Sequence, residues 1–197
     1  MTLRLIDLLC DRHRQAVLDT CMWPADFKLA DCPQCSDDNG EADIFPGVDA
    51  RHEMAVHEAG HAYAYLRFGI QLECVDLGGN DRFAAYTNAY GHDQSGLAGL
   101  TGLWAGPVAV RAWLDRLGLL DDAAQVDVAM SARTDTRVIV EVAREQRLVI
   151  EARELAEQLA GRHLPSIERI ADALLVHGRL SGDEIAALAE LTCGAVS

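Results

Sequence analysis

Two histidines four positions apart, with a glutamate beside the first, stand at His57-Glu58-Ala59-Gly60-His61. The spacing constrains the fold around it. On a helix, positions four apart face the same way, so two imidazoles can offer nitrogens to one ion at the ~2.0–2.1 Å that zinc requires. The surrounding pattern predicts such a helix from about Asp49 to Phe68, stopping at Gly69, with the motif in its middle. Glu58 is placed to reach a water on the metal. The ion would lower that water's pKa and polarise a carbonyl, while the carboxylate takes and delivers the proton. Ala59 and Gly60, small residues between the histidines, allow another backbone to approach closely, although glycine inside a helix costs ~1 kcal/mol relative to alanine.

A catalytic zinc wants three protein ligands and one open position, so a third must come from elsewhere. His92, Asp93, Asp127, Glu141 and Glu145 are the candidates. Asp127 stands out because Val126, Val128, Ala129 and Met130 surround it, and a lone carboxylate in an apolar stretch is costly unless it is ligating or paired. The competing reading of Asp127 is a solvated helix face.

The remaining pattern is mostly helical. Residues 1 to about 20 have helical spacing, and Cys21 to Gly47, with three prolines and an acidic run from Ser36 to Asp43, reads as a linker. The expected division is an appendage over 1–47 and a main domain over 48–197. Leu72 to Leu77 and Phe83 to Tyr90, joined through Gly78-Gly79-Asn80-Asp81, predict a β-hairpin. Helices are then predicted over Ser95–Leu117, Asp122 to about Ala132, Thr136–Ala160, Ser166–Val176 and Ser181–Leu191. The last has the capping-box pair Ser181 and Glu184.

Charge narrows the partners. The 197 residues carry a formal net charge of -14, which disfavours nucleic-acid phosphates as a ligand. The N-terminal run contains Asp7 and Asp11 and does not read as a secretory signal, so a cytoplasmic address is expected. The longest uncharged stretch, Gln94 to Val110, is broken by glycines and Pro107 and is too short for a membrane span.

His57-Glu58-Ala59-Gly60-His61-Ala62 resembles the zinc motif of the FtsH-type ATP-dependent zinc metalloproteases. Phe83-Ala84-Ala85-Tyr86-Thr87 resembles the strand that family places beside its active site, and Leu103-Trp104-Ala105-Gly106-Pro107-Val108-Ala109 is similar to its later Ala- and Gly-rich helix. Asp122-Ala123-Ala124-Gln125-Val126-Asp127-Val128-Ala129 looks like the helix carrying the family's aspartate ligand, which implies Asp127 for that role. Weaker collinear matches extend the resemblance from about residue 50 to 191. It implies a mainly α (α+β), zincin-like metallopeptidase domain with a small β-hairpin beside the active-site helix. It also implies Zn(2+) on His57, His61 and Asp127, Glu58 as general base and acid, and peptides or unfolded proteins as substrates. The family's membrane anchor and ATPase module have no counterpart here: no phosphate-binding loop is present, and the one lysine is Lys28. A separate ATPase chain that delivers substrate is one expected partner, and a homo-oligomer is another.

Two other readings stay open: a catalytically silent adaptor on the same zinc fold, and an HExxH peptidase of another class whose third ligand is Glu141 or Glu145. Cys32-Pro33-Gln34-Cys35, with Cys21 and His13, could hold a second, structural zinc; reduced thiols are the alternative. Cys10, Cys74 and Cys193 read as small core residues.

Overall fold

The structure is a computed structural model, and it describes residues 49–78 and 85–189. The N-terminal helix, the linker, the cysteines Cys10, Cys21, Cys32, Cys35 and Cys193, and most of the hairpin turn lie outside the described residues.

The motif helix, α1, spans Ala50–Arg67. Asp49 caps its start by accepting from Arg51 N–H, and Gly69 follows its end with φ +71°, a left-handed conformation that a side chain would disfavour. Its middle is buried on nearly every side: Ala55, Val56, Ala59, Ala62, Tyr63 and Ala64 are all sealed from solvent. Polar residues in that stretch must therefore find partners inside the protein.

Strand β1 (Gln71–Asp76) pairs antiparallel with β2 (Tyr86–Tyr90), as the hairpin pattern predicts, with a bulge at Glu73 where the register slips between Leu72 and Cys74. The sheet has a third strand that the sequence pattern does not predict. β3 (Arg179–Ser181) pairs antiparallel with the other edge of β1, giving the order β2-β1-β3. β3 is three residues long and has no alternation to read, so only its placement against β1 makes it a strand.

Helix α2 (Leu97–Arg116) runs unbroken through Pro107 and packs against α1. Helix α3 (Asp122–Ser131) is capped by Asp121, and α4 (Arg133–Val142) follows it after Ala132 alone. The expected helix Thr136–Ala160 is in fact two, because Ala143 is extended (φ -66°, ψ 125°) and ends α4. The break expected between residues 160 and 166 is present as a kink: α5 runs from Gln146 to His177, and His163 inside it has a non-helical backbone (φ -124°, ψ 15°) where two helical segments meet. Pro165 accounts for the kink, since it cannot donate the helical hydrogen bond and crowds the preceding turn. Helix α6 (Gly182–Leu188) carries the predicted capping box, with Ser181 ending β3 and capping α6 at once.

One core cluster joins α1, α2, the sheet, α5 and α6 through Val56, Tyr63, Val75, Leu114, Ile170 and Ile185. A second joins α2, α4 and α5, where Ala152, Ala156 and Ala160, one per turn, let α5 approach Leu100, Trp104 and Ile139 closely. The chain is mainly helical with a small antiparallel sheet, an α+β arrangement. Among the described residues, no helix is long and apolar enough to cross a membrane.

Candidate metal centre

His57 and His61 lie one turn apart on α1 and turn their Nε2 atoms toward each other, 3.0 Å apart. The Asp135 Oδ2 atom completes a triangle, 3.0 Å from His57 Nε2 and 3.6 Å from His61 Nε2. A tetrahedral ion with bonds of 2.0–2.1 Å holds neighbouring donors ~3.3 Å apart. The three edges bracket that value, so the residues fit a metal without rearrangement.

The carboxylate brought to the histidines is therefore Asp135, not Asp127. Among the described residues, the one set of His, Cys, Asp and Glu donors close enough to share an ion is His57, His61 and Asp135. Asp127 is buried in the middle of α3 and is not in that set. Asp135 sits in the first turn of α4, whose free N–H groups and positive dipole end favour a carboxylate. The tight passage from α3 to α4 at Ala132 aims that helix start at α1. In sequence, an acidic residue near a helix start looks like ordinary capping chemistry, so Asp135 carries no mark of its own.

The other candidates lie outside that set. Asp93 accepts from the backbone N–H and hydroxyl of Ser95, at 2.9 and 2.7 Å. Glu141 is exposed and pairs with Arg137, and Glu145 is exposed at the start of α5. The His92 ring packs on Tyr65 with centroids 5.1 Å apart. The possible ligands Cys21, Cys32, Cys35 and His13 fall outside the described residues; Cys74 is buried, as a small core residue would be.

Three features outside the motif hold the centre. The Gly102 carbonyl on α2 accepts from His61 Nδ1–H at 2.7 Å, which fixes the ring and leaves Nε2 as the atom facing the metal position. Gly106, one turn later, has no side chain because there is no room for one: a Cβ would come within 2.6 Å of His61 Cε1 and 2.9 Å of His57 Nε2. Thr87 on β2 donates its hydroxyl to Glu58 Oε2 at 2.7 Å, with the Glu58 carbonyl 3.1 Å away, so the sheet edge positions the motif glutamate.

The electrostatics favour a cation. Burial by itself depresses the His61 pKa, but Asp135, helped by Glu58 and the Gly102 carbonyl, outweighs it and raises His61 to about 9. Burial would raise the Asp135 carboxyl, yet His61 and His57 hold it well below the usual carboxylate range. A field that retains a proton so firmly is one that a divalent ion can exploit by displacing it.

Glu53, one turn before His57, is a second buried carboxyl, and burial pushes it up to about 7 against the opposing pull of His57 and the Ser131 hydroxyl. Its folded pKa is raised, so its contribution favours the folded state below about pH 4.5 and is lost as pH climbs through 7. Glu53→Gln should therefore gain stability over wild type as pH goes from 5 to 8, by about 2.5 kcal/mol at 1.36 kcal/mol per pKa unit. Urea unfolding of chelator-treated samples across that range checks it, and parallel pH profiles would refute it.

No protein-family model matches the chain, and no curated protein matches it either.

Proposed function

We propose that the protein is a zinc-dependent peptidase with a zincin-like site, which hydrolyses peptide bonds in unstructured peptides or unfolded proteins. His57, His61 and Asp135 are the metal ligands, and Glu58 is the general base and acid. The observation that carries this reading is the triangle of two Nε2 atoms and one Oδ2 atom at the spacing of a tetrahedral ion, with the Glu58 carboxylate fixed next to it by Thr87.

A zinc ion held there supplies a polarised carbonyl and an acidified water. The chain's own residues do the rest. Glu58 accepts the proton of the attacking water and later delivers it to the amide nitrogen that leaves. Thr87 keeps that carboxylate oriented, and Gly102 keeps His61 from rotating away. β2 is an edge of the described sheet, so an extended peptide can pair with its outer side by β-addition and lie across Glu58.

Two histidines and a carboxylate also suit ferrous iron. A base placed beside the ion favours hydrolysis, and therefore zinc. Freshly purified protein should contain about one equivalent of zinc at the α1 site and cleave fluorescent casein. A chelator should abolish cleavage, and zinc should restore it. Finding iron in place of zinc, or no cleavage of varied unfolded substrates by zinc-loaded protein, would overturn the proposal.

A further inference from the structure

Glu58, His61 and Tyr65 are spaced by three and four along α1 and share the face that carries the metal centre. Helical side chains lean toward the helix N-terminus, so the Tyr65 ring is directed back toward His61. The ring lies flat against Gly102, where an added Cβ would stand 2.5 Å from its Cδ1 and 2.7 Å from its Cζ. Gly102 is also the residue whose carbonyl orients His61. One bare turn of α2 thus seats both the ligand and the phenol.

Tyr65 is only 5% exposed as a whole residue, yet its hydroxyl oxygen is not among the sealed polar atoms that lack a partner, so the tip of the ring still reaches solvent. Among the described residues, none of the hydrogen bonds is made by this hydroxyl. The charges that act on it are the carboxylates of Asp135 and Glu58, the two groups that flank the reacting position. We propose that the Tyr65 hydroxyl is a catalytic residue that donates to the oxyanion formed on the scissile carbonyl, an assignment that rests on the peptidase reading above.

The electron bookkeeping is simple. As the water oxygen bonds to the carbonyl carbon, the π pair moves onto the carbonyl oxygen and Glu58 takes the water's proton. The new negative charge is met by the Tyr65 O–H without any proton leaving the tyrosine. When the carbon–nitrogen bond breaks, the pair returns to the carbonyl and the proton on Glu58 goes to nitrogen. A tyrosine hydroxyl ordinarily titrates at about 10, so it is protonated at neutral pH and remains a donor. A donor aimed at developing charge is typically worth 10² to 10³ in rate.

Tyr65→Phe keeps the ring that fills the space at Gly102 and removes only the oxygen. Its kcat on casein peptides should fall about 10²-fold with KM nearly unchanged and zinc content equal to wild type. The second readout is binding of a phosphinic isostere of a casein peptide that wild type cleaves, followed by visible absorption of cobalt-substituted protein. The tetrahedral anion should bind Tyr65→Phe at least about tenfold more weakly, whereas the uncleaved parent sequence in which the scissile bond is N-methylated should bind both proteins alike. Equal kcat and equal phosphinate affinity in the two proteins would overturn the assignment. So would a loss of zinc in the variant that accounts for its loss of activity, since Tyr65 would then be structural. A wild type that cleaves nothing would instead bring down the peptidase reading, and this assignment with it.

Discussion

Asp135→Ala is expected to strip the centre of its metal. In the proposed centre the carboxylate supplies one of three donors, and its negative charge favours positive charge at His61. Loss of a residue that only orients a ligand costs 10- to 100-fold in metal affinity, so loss of a ligand should exceed about 100-fold. Asp135 sits in the first turn of α4 and is not part of either apolar cluster, so the variant should still fold. Zinc content after dialysis, with circular dichroism on the same samples, is the measurement. Glu141→Ala and Glu145→Ala serve as controls, because both residues are exposed and surface changes are usually worth within ~0.5 kcal/mol. Retention of full zinc occupancy by Asp135→Ala would remove this residue from the ligand set. Loss of zinc in Glu141→Ala or Glu145→Ala would revive a glutamate ligand.

Glu58→Gln should keep zinc and fold yet lose peptide cleavage. Glutamine has nearly the shape of glutamate, and its amide oxygen can still accept from Thr87, so the local structure around β2 should persist. It cannot take a proton from water. Positioned acid–base groups contribute roughly 10² to 10⁴ in rate, and activity should fall by that factor at constant metal content. Casein hydrolysis by variant and wild type, with zinc measured on the same preparations, tests it. Equal cleavage would take Glu58 out of the chemistry. An adaptor that used the zinc fold only for binding would be indifferent to the change.

The parts legible in the sequence are those whose cause is local. The helix around His57 and His61 follows from the fourfold spacing, the cap at Asp49 and the glycine at 69. The β1–β2 pair follows from two apolar runs separated by turn residues, and the capping box at Ser181 and Glu184 from two residues three apart. The apolar neighbours of Asp127 and the family resemblance both point to it as a ligand. Burial of that residue is indeed observed, but burial and ligation are different properties.

That two imidazoles and a carboxylate share one helix follows from local spacing alone, because a 3.6-residue period leaves them no other arrangement once the helix forms. What surrounds them is set by contacts between distant parts of the chain. Asp135 reaches His57 across 78 positions, Thr87 reaches Glu58 across 29, and Gly102 reaches His61 across 41. Each of those contacts depends on the packing of α4, β2 or α2 against α1, where the absence of a side chain at Gly102 and Gly106 matters as much as the presence of one elsewhere. Periodicity carries no information about which helix start is aimed at which turn of another helix. That is fixed by the shapes that the apolar clusters bury together.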